Sequence, residues 1–243
     1  YPWVVVALLW VVALLNYMDR QMLSTMRDAM QFDITELESA VNFGRLMAIF
    51  LWIYGFMSPV AGAVADRISR KWLIVVSLGV WSTVTLLMGY STTFTQIYWL
   101  RALMGVSEAL YIPAGLSLIA DYFTGSRRSL AIGIHMTGLY VGQAVGGFGA
   151  TVAAAFSWQT TFHWFGIVGI VYALVLILLL HEKRRERPEP KVDAPKPAGE
   201  TVWRSFALLF SNIAFWTILF YFASSSLPGW ATKNWLPTLF SES

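Results

Sequence analysis

The stretch 3-WVVVALLWVVALLNYMDRQMLS-24 begins with thirteen apolar residues and then sets an acid and a base, Asp19 and Arg20, next to each other. Continued to about residue 26, the run reaches the roughly 20 residues that a membrane helix needs. A charge at mid-membrane costs at least about 3 kcal/mol, so it normally faces a partner or water and has a task. What a helix in oil does with a carboxylate and a guanidinium is therefore the question that decides how the chain is read.

Composition answers the class first. Of 243 residues, 57% are hydrophobic and only 13% charged. Soluble domains carry roughly a quarter charged residues. Sixteen Phe, twelve Trp and ten Tyr exceed what a soluble core of this size needs. With no cysteine, disulfides and cysteine-based metal or redox sites are excluded. The net charge of +3 could suggest nucleic acid, but the basic residues fall in short gaps between apolar runs, which is topology information instead. No cleavable signal peptide is evident. Seven segments are long and apolar enough to span, at about 3–26, 44–65, 72–91, 96–121, 129–154, 161–181 and 205–224. They are too long and continuous for barrel strands, so the expectation is an all-α membrane protein.

The gaps orient it. Gap 2–3 holds Arg67, Arg70 and Lys71, gap 4–5 holds Arg127 and Arg128, and gap 6–7, 181-HEKRRERPEPKVDAPKPAGE-200, holds six Lys or Arg. Gaps 3–4 and 5–6 carry none, and gap 1–2 is mixed, with Asp28, Asp33, Glu36 and Glu38 beside Arg27 and Arg45. The positive-inside rule puts the N-terminus and the basic gaps in the cytoplasm. The proline-rich and charged gap 6–7 cannot bury enough apolar surface to fold alone. The expected organisation is a six-helix transmembrane bundle over 1–181, a cytoplasmic linker over 182–203, and helix 7 over 204–243, the start of a second bundle. That is the layout of a twelve-helix transporter cut after its seventh helix.

Gap 2–3 reads 62-GAVADRISRK-71. Gly62, Asp66, Arg67, Arg70 and Lys71 match the G-x-x-x-D-R-x-x-R-K signature of the major facilitator superfamily, which the chain resembles. The bland alternative is a short basic loop such as any membrane protein has. Gly62 would let a neighbouring helix approach closely, and Asp66 at a helix end could pair with a base or cap a helix across a domain interface. In that family the loop is a conformational latch, not a substrate site. The run 138-GLYVGQAVGGFGA-150 resembles the family's G-x-x-x-G-P-x-x-G-G pattern with Gln143 in place of the proline, which argues mildly against exchange. Gly138, Gly142 and Gly146 recur every four residues, and a small-residue packing face is the stronger reading.

Helix 4 reads 96-QIYWLRALMGVSEALYIPAGLSLIADYF-123, with Arg101 and Glu108 seven residues apart. Two helical turns are about 7.2 residues, so both point to one side, roughly 10 Å apart along the axis. With Asp19 and Arg20 they sum to zero charge, as a desolvated cluster requires. A structural salt-bridge cluster pinning helix 1 to helix 4 would meet the same requirement. Here the resemblance narrows. Asn16, Tyr17, Asp19, Arg20, Leu23 and Ser24 match the N-Y-x-D-R-x-x-L-S of helix 1 in the superfamily's anion:cation symporter branch. Arg101, Gly105, Glu108, Ala109 and Pro113 match its R-x-x-x-G-x-x-E-A-x-x-x-P, and 235-WLP-237 its helix 7 ending. This resemblance implies proton-coupled uptake of a small organic anion such as a sugar acid. It also implies proton coupling at Asp19 and Glu108, with Arg101 in the same charge network and Arg20 on the substrate carboxylate. An acid in a half-dry cavity can hold a proton near neutral pH, and an arginine offers a planar fork to a carboxylate. Arg101 is expected opposite Asp19.

Tyr17, Tyr54, Tyr140 and Gln143 are the further candidates for substrate contact, with Asn42 of similar standing, although each aromatic alone is more often packing. His135 could join a proton relay, and a lone histidine is more often simply hydrogen-bonded. The fold implied is the superfamily's N-terminal six-helix bundle of two three-helix inverted repeats plus one helix of the second bundle. A multi-pass protein of the cell (inner) membrane follows, acting as a monomer once a second bundle is present, with an anion, protons and the bilayer as partners. No cofactor, metal site, nucleic acid or enzymatic nucleophile–base set is expected. The alternatives kept open are a spinster-like lysolipid exporter, where N-Y-M-D-R and a helix 4 arginine and glutamate also occur, and a non-transporting receptor or scaffold.

Overall fold

The computed structural model describes residues 1–65, 67–182 and 210–242, with backbone alone for 230, 231 and 233–242. The chain forms two compact units, Tyr1–Lys183 and Arg184–Ser243. Among the described residues all regular structure is helical.

The first unit begins with α1 (Pro2–Thr25), whose proline occupies the first turn, where a missing N–H costs nothing. A short α2 (Arg27–Gln31) and a 3₁₀ turn (Thr35–Glu38) lead into α3 (Ala40–Ala65). Next come α4 (Arg70–Met88), α5 (Phe94–Ala109), α6 (Tyr111–Tyr122), α7 (Gly125–Gly146), α8 (Gly149–Ala155) and α9 (Trp158–Leu179). Caps set several starts. Ser69 accepts from the Trp72 amide, Thr93 and Gln96 form a reciprocal capping box, and Ser157 accepts from the Thr160 amide. The second unit contains α10 (Ile213–Glu242). Among the described residues, five stretches are long and apolar enough to cross a membrane: α1, α3, α4, the continuous run of α5 and α6, and α9.

Three expected spans differ in the structure. The fourth is jointed at Leu110, because Pro113 has no N–H to bond the Ala109 carbonyl and its ring crowds that carbonyl. The fifth, expected as one helix over 129–154, starts earlier and breaks between Gly146 and Gly149, where Gly146, Gly147 and Gly149 cluster and helix propensity collapses. The seventh was expected at 205–224. Residues 205–209 lie outside the described residues, and α10 begins at Ile213 and runs 30 residues.

Packing follows small residues, as expected where lipid supplies no hydrophobic drive. A Cβ on Gly138 would stand 2.6 Å from the Trp10 carbonyl oxygen, and one on Gly146 2.7 Å from that of Met18. A Cβ on Gly142 would collide with the Leu14 backbone. The glycine ladder is thus the packing face of α7 against α1. Gly105 similarly admits the α3 backbone at Phe50, and Gly166 admits α4 at Leu86. The mixed first gap is held inward. Arg27 is buried, donates to the Leu37 and Glu38 carbonyls at 3.2 and 2.9 Å, and lies over the Phe43 ring. Asp33 ties this gap to α9 by accepting from Trp158 Nε1 and Gln159 Nε2, both at 2.7 Å.

Candidate functional site

The glycine contacts bring α1 against α7 and α3 against α5, and between them α1 and α5 carry the four charges. Asp19, Arg101 and Glu108 are buried, and Arg20 keeps 19% of its side chain exposed. Arg20 Nε donates to Glu108 Oε2 at 2.6 Å, an ion pair between helices 88 residues apart in sequence. The guanidinium carbon of Arg20 lies 4.9 Å from the Tyr17 ring centre and 4.8 Å from those of Phe50 and Tyr54. Three aromatic faces thus surround the cation, each attracting it through the ring quadrupole.

Asp19 takes a different partner from the one its sequence context suggested. Its Oδ2 accepts from the Thr85 hydroxyl of α4 at 3.0 Å, and it forms no ion pair with Arg101 among the described residues. Arg101 lies over the other cation's ring instead, 4.5 Å from the Phe50 centre, and its Nη1 sits 3.1 Å from Met104 Sδ. The local reason is spacing. Asp19 and Arg20 are adjacent and so point about 100° apart on α1, which lets one reach α4 and the other α5.

The cluster is incompletely satisfied. Arg20 Nη2, Glu108 Oε1, Arg101 Nε and both amide atoms of the buried Asn16 have no hydrogen-bond partner. Buried orphans of this kind call for water or a ligand. Arg20 offers a free donor next to a carboxylate whose second oxygen is also free, so a bound anion and a bound proton could each relieve part of the imbalance.

The other candidates divide. Tyr17 and Tyr54 join the cluster as rings on Arg20. Tyr140 is 69% exposed on α7, away from these contacts, and Gln143 is half-buried on the same helix. Asn42 bonds the Glu36 carbonyl at 3.0 Å and caps the first gap. His135 is fully buried with its ring 6.0 Å from that of Tyr111, whose hydroxyl bonds the Leu9 carbonyl, so it sits on the packing side of α7. Phe50 and Thr85 belong to the cluster without having been picked out. Phe50 had only a faint signal, an aromatic one turn before Tyr54.

In the basic loop, Arg70 pairs with Asp121 at the end of α6, and its backbone N–H donates to Glu182 Oε1 at 3.1 Å. Ser69 also bonds Glu182, and Lys71 donates to the Ile177 carbonyl at 2.7 Å. Arg67 is exposed. Gly62 differs from expectation, since a Cβ there would meet nothing within 4 Å among the described residues, so no described helix presses on it. Asp66 and most of the expected linker 182–203 lie outside the described residues. Tyr1 donates to the Leu179 carbonyl at 2.6 Å and Tyr122 to that of His181 at 2.7 Å, which gathers the N-terminus, the basic loop and the end of α9 at one end of the unit.

Comparison with known proteins shows the family and the fold. The sequence model of the Major Facilitator Superfamily matches residues 9–243. Protein spinster homolog 1 of Xenopus tropicalis is 30% identical over 246 residues, covering 98% of this chain and 46% of that protein. The hexuronate transporter of Bacillus subtilis (strain 168) is 28% identical over 229 residues, covering 90% of this chain and 54% of that one. The chain therefore spans about half the length of the curated relatives it matches. A crystal structure of a bacterial homolog of the human lysosomal transporter spinster, inward-facing and unoccupied, superposes with a TM-score of 0.77 at 22% identity. It covers 98% of this chain and 55% of that chain, a likeness of fold.

Proposed function

The chain belongs to the Major Facilitator Superfamily, a family of multi-pass membrane transporters and not of enzymes, and from that premise we propose that the protein is a secondary active transporter coupling a small organic anion, such as a sugar acid, to protons. The observation that carries this reading is the 2.6 Å pair of Arg20 with Glu108, buried on the acid side and partly open on the arginine side. A substrate carboxylate and Glu108 compete for one guanidinium. Protonating Glu108 releases Arg20, whose planar fork then takes the anion. An anion seated on Arg20 in turn favours the protonated acid. Each ligand raises the other's affinity by the same factor, which is the thermodynamic content of symport.

In this reading Arg20 contacts the anion, with Tyr17, Tyr54, Tyr140 and Gln143 lining its path. Asp19 and Glu108 are the coupling acids, and Arg101 completes the charge balance. The basic loop from Gly62 to Lys71 is the conformational latch, and residues 1–181 form one bundle joined by the linker 182–203 to a second. The clustering of Tyr1, Arg70, Lys71 and Glu182 at one basic end supports a cytoplasmic N-terminus and linker in the cell membrane. Function as a monomer needs no second copy to complete the cluster.

A second reading is favoured by one observation, the 30% identity to spinster homolog 1 across nearly the whole chain. There the anion on Arg20 would be the phosphate of a lysolipid. Counterflow into proteoliposomes containing the full chain, with D-glucuronate, D-galactonate and lysophosphatidylglycerol as probes, separates the two. Counterflow of a sugar acid that is lost in Arg20→Lys supports symport of small anions. Counterflow of the lysolipid alone supports the second reading, and none with any probe contradicts both.

A further inference from the structure

The ring of Phe50 is shared by two cations, the buried Arg101 and the partly exposed Arg20. Arg20 lies 4.8 Å and Arg101 4.5 Å from its centre. Two like charges on one ring repel, so something must hold each in place. Arg20 has Glu108 and two further rings. Among the described residues the direct contacts of the Arg101 guanidinium are the Phe50 face and the soft Met104 sulfur, its Nε has no hydrogen-bond partner, and yet Glu108 Oε1 also lacks one. A buried arginine and a buried carboxylate oxygen on one helix, both unfilled and not joined, are an arrangement that needs a cause.

We propose that Phe50 is a positioning residue: its ring holds the Arg101 guanidinium off the Glu108 carboxylate and so leaves Arg20 as that carboxylate's one ion-pair partner. The inference rests on the reading of Glu108 as a coupling acid and deepens it by naming what decides how readily that acid takes a proton. The groups that interact with Glu108 are Asp19 and Arg20 on α1, Tyr54 on α3 and Arg101 on α5 itself, with Tyr17 of α1 behind Arg20. α4 contributes the Thr85 hydroxyl, which is engaged by Asp19, and α6 contributes Tyr111, whose hydroxyl is engaged by the Leu9 carbonyl. Among the described residues, Arg101 is thus the one cation near Glu108 that is not already paired with a carboxylate. Without the Phe50 face it swings to Oε1, and a second cation on the carboxylate favours the ionised form. Protonation then requires a lower pH, and the exchange of Arg20 between Glu108 and the anion is impaired.

The test follows the protonated carboxyl of Glu108 by infrared difference spectroscopy of the full chain in liposomes, as the C=O band that disappears in Glu108→Gln. Phe50→Leu is expected to move the titration midpoint of that band down by about one pH unit, a tenfold loss of proton affinity. Phe50→Tyr, which keeps the aromatic face, restores it. In an Arg101→Gln background Phe50→Leu adds no further shift. Met104→Leu conserves volume, removes the sulfur partner and moves the midpoint the same way by less, so the proposal stays testable if Phe50→Leu does not fold. A midpoint that is unchanged or raised, or a shift that survives in Arg101→Gln, overturns the role of Phe50 and leaves the reading of Glu108 standing. If no band disappears in Glu108→Gln, that reading fails and this inference fails with it.

Discussion

Replacing Arg20 by methionine tests the cluster in isolation from any substrate. Methionine keeps an unbranched stem among Tyr17, Phe50 and Tyr54 but removes the charge. Three cation–π contacts disappear, at roughly 0.5–1 kcal/mol each. Glu108 is fully buried, and stranding a buried charge without its partner costs about 3–5 kcal/mol. The double variant Arg20→Met/Glu108→Gln loses the same ring contacts but strands no charge. The single variant is therefore expected to be less stable than the double one by about 3–5 kcal/mol, even though it carries fewer changes. Unfolding by SDS titration from mixed micelles measures the difference. The gap closes as pH falls, because protonation of the stranded carboxyl removes the buried charge, and it is fully open at the alkaline end. A single variant at least as stable as the double one at alkaline pH would refute the claim that Arg20 neutralises Glu108 in the folded protein.

Gly138→Ala and Gly146→Ala each place a methyl less than 3 Å from an α1 carbonyl, and overpacking of that kind costs about 1–3 kcal/mol. A thermal melt should show both variants lowered, while Gly62→Ala, which meets nothing within 4 Å, should leave the melt unchanged. Asp33→Ala frees the indole N–H of Trp158 and the amide of Gln159, a loss of about 1.5–3 kcal/mol for charged hydrogen bonds. Faster hydrogen exchange confined to the 27–38 segment and the first turn of α9 is its expected signature.

The membrane class, most of the spans and the convergence of the first and fourth spans, α1 and α5 of the structure, were legible because each rests on a local quantity. Apolar length fixes a span, and a charge inside it demands a partner. The glycine repeat of α7 was legible as a packing face for the same reason, since only small residues let two backbones approach. What sequence could not supply was who pairs with whom. Asp19 and Arg20 differ by about one-quarter turn, and whether the acid or the base reaches α5 depends on the rotation of α1, which the distant glycine contacts set. The pairing came out as Arg20 with Glu108, and Asp19 went to Thr85. Phe50 was invisible for a related reason, because one aromatic among many carries no mark of lying between two arginines. The joint at Leu110 could be anticipated from Pro113, whereas the break after Gly146 required weighing three glycines against an otherwise apolar run.

The central claim is that Glu108 carries the proton that drives accumulation. The direct measurement is substrate uptake into proteoliposomes under an imposed pH gradient, compared with counterflow at equal pH, for the native protein and Glu108→Gln. Loss of gradient-driven accumulation in the variant with counterflow retained is the expected result, because a neutral residue frees Arg20 to bind the anion but has no proton to exchange. Gradient-driven accumulation in Glu108→Gln equal to that of the native protein would contradict the account.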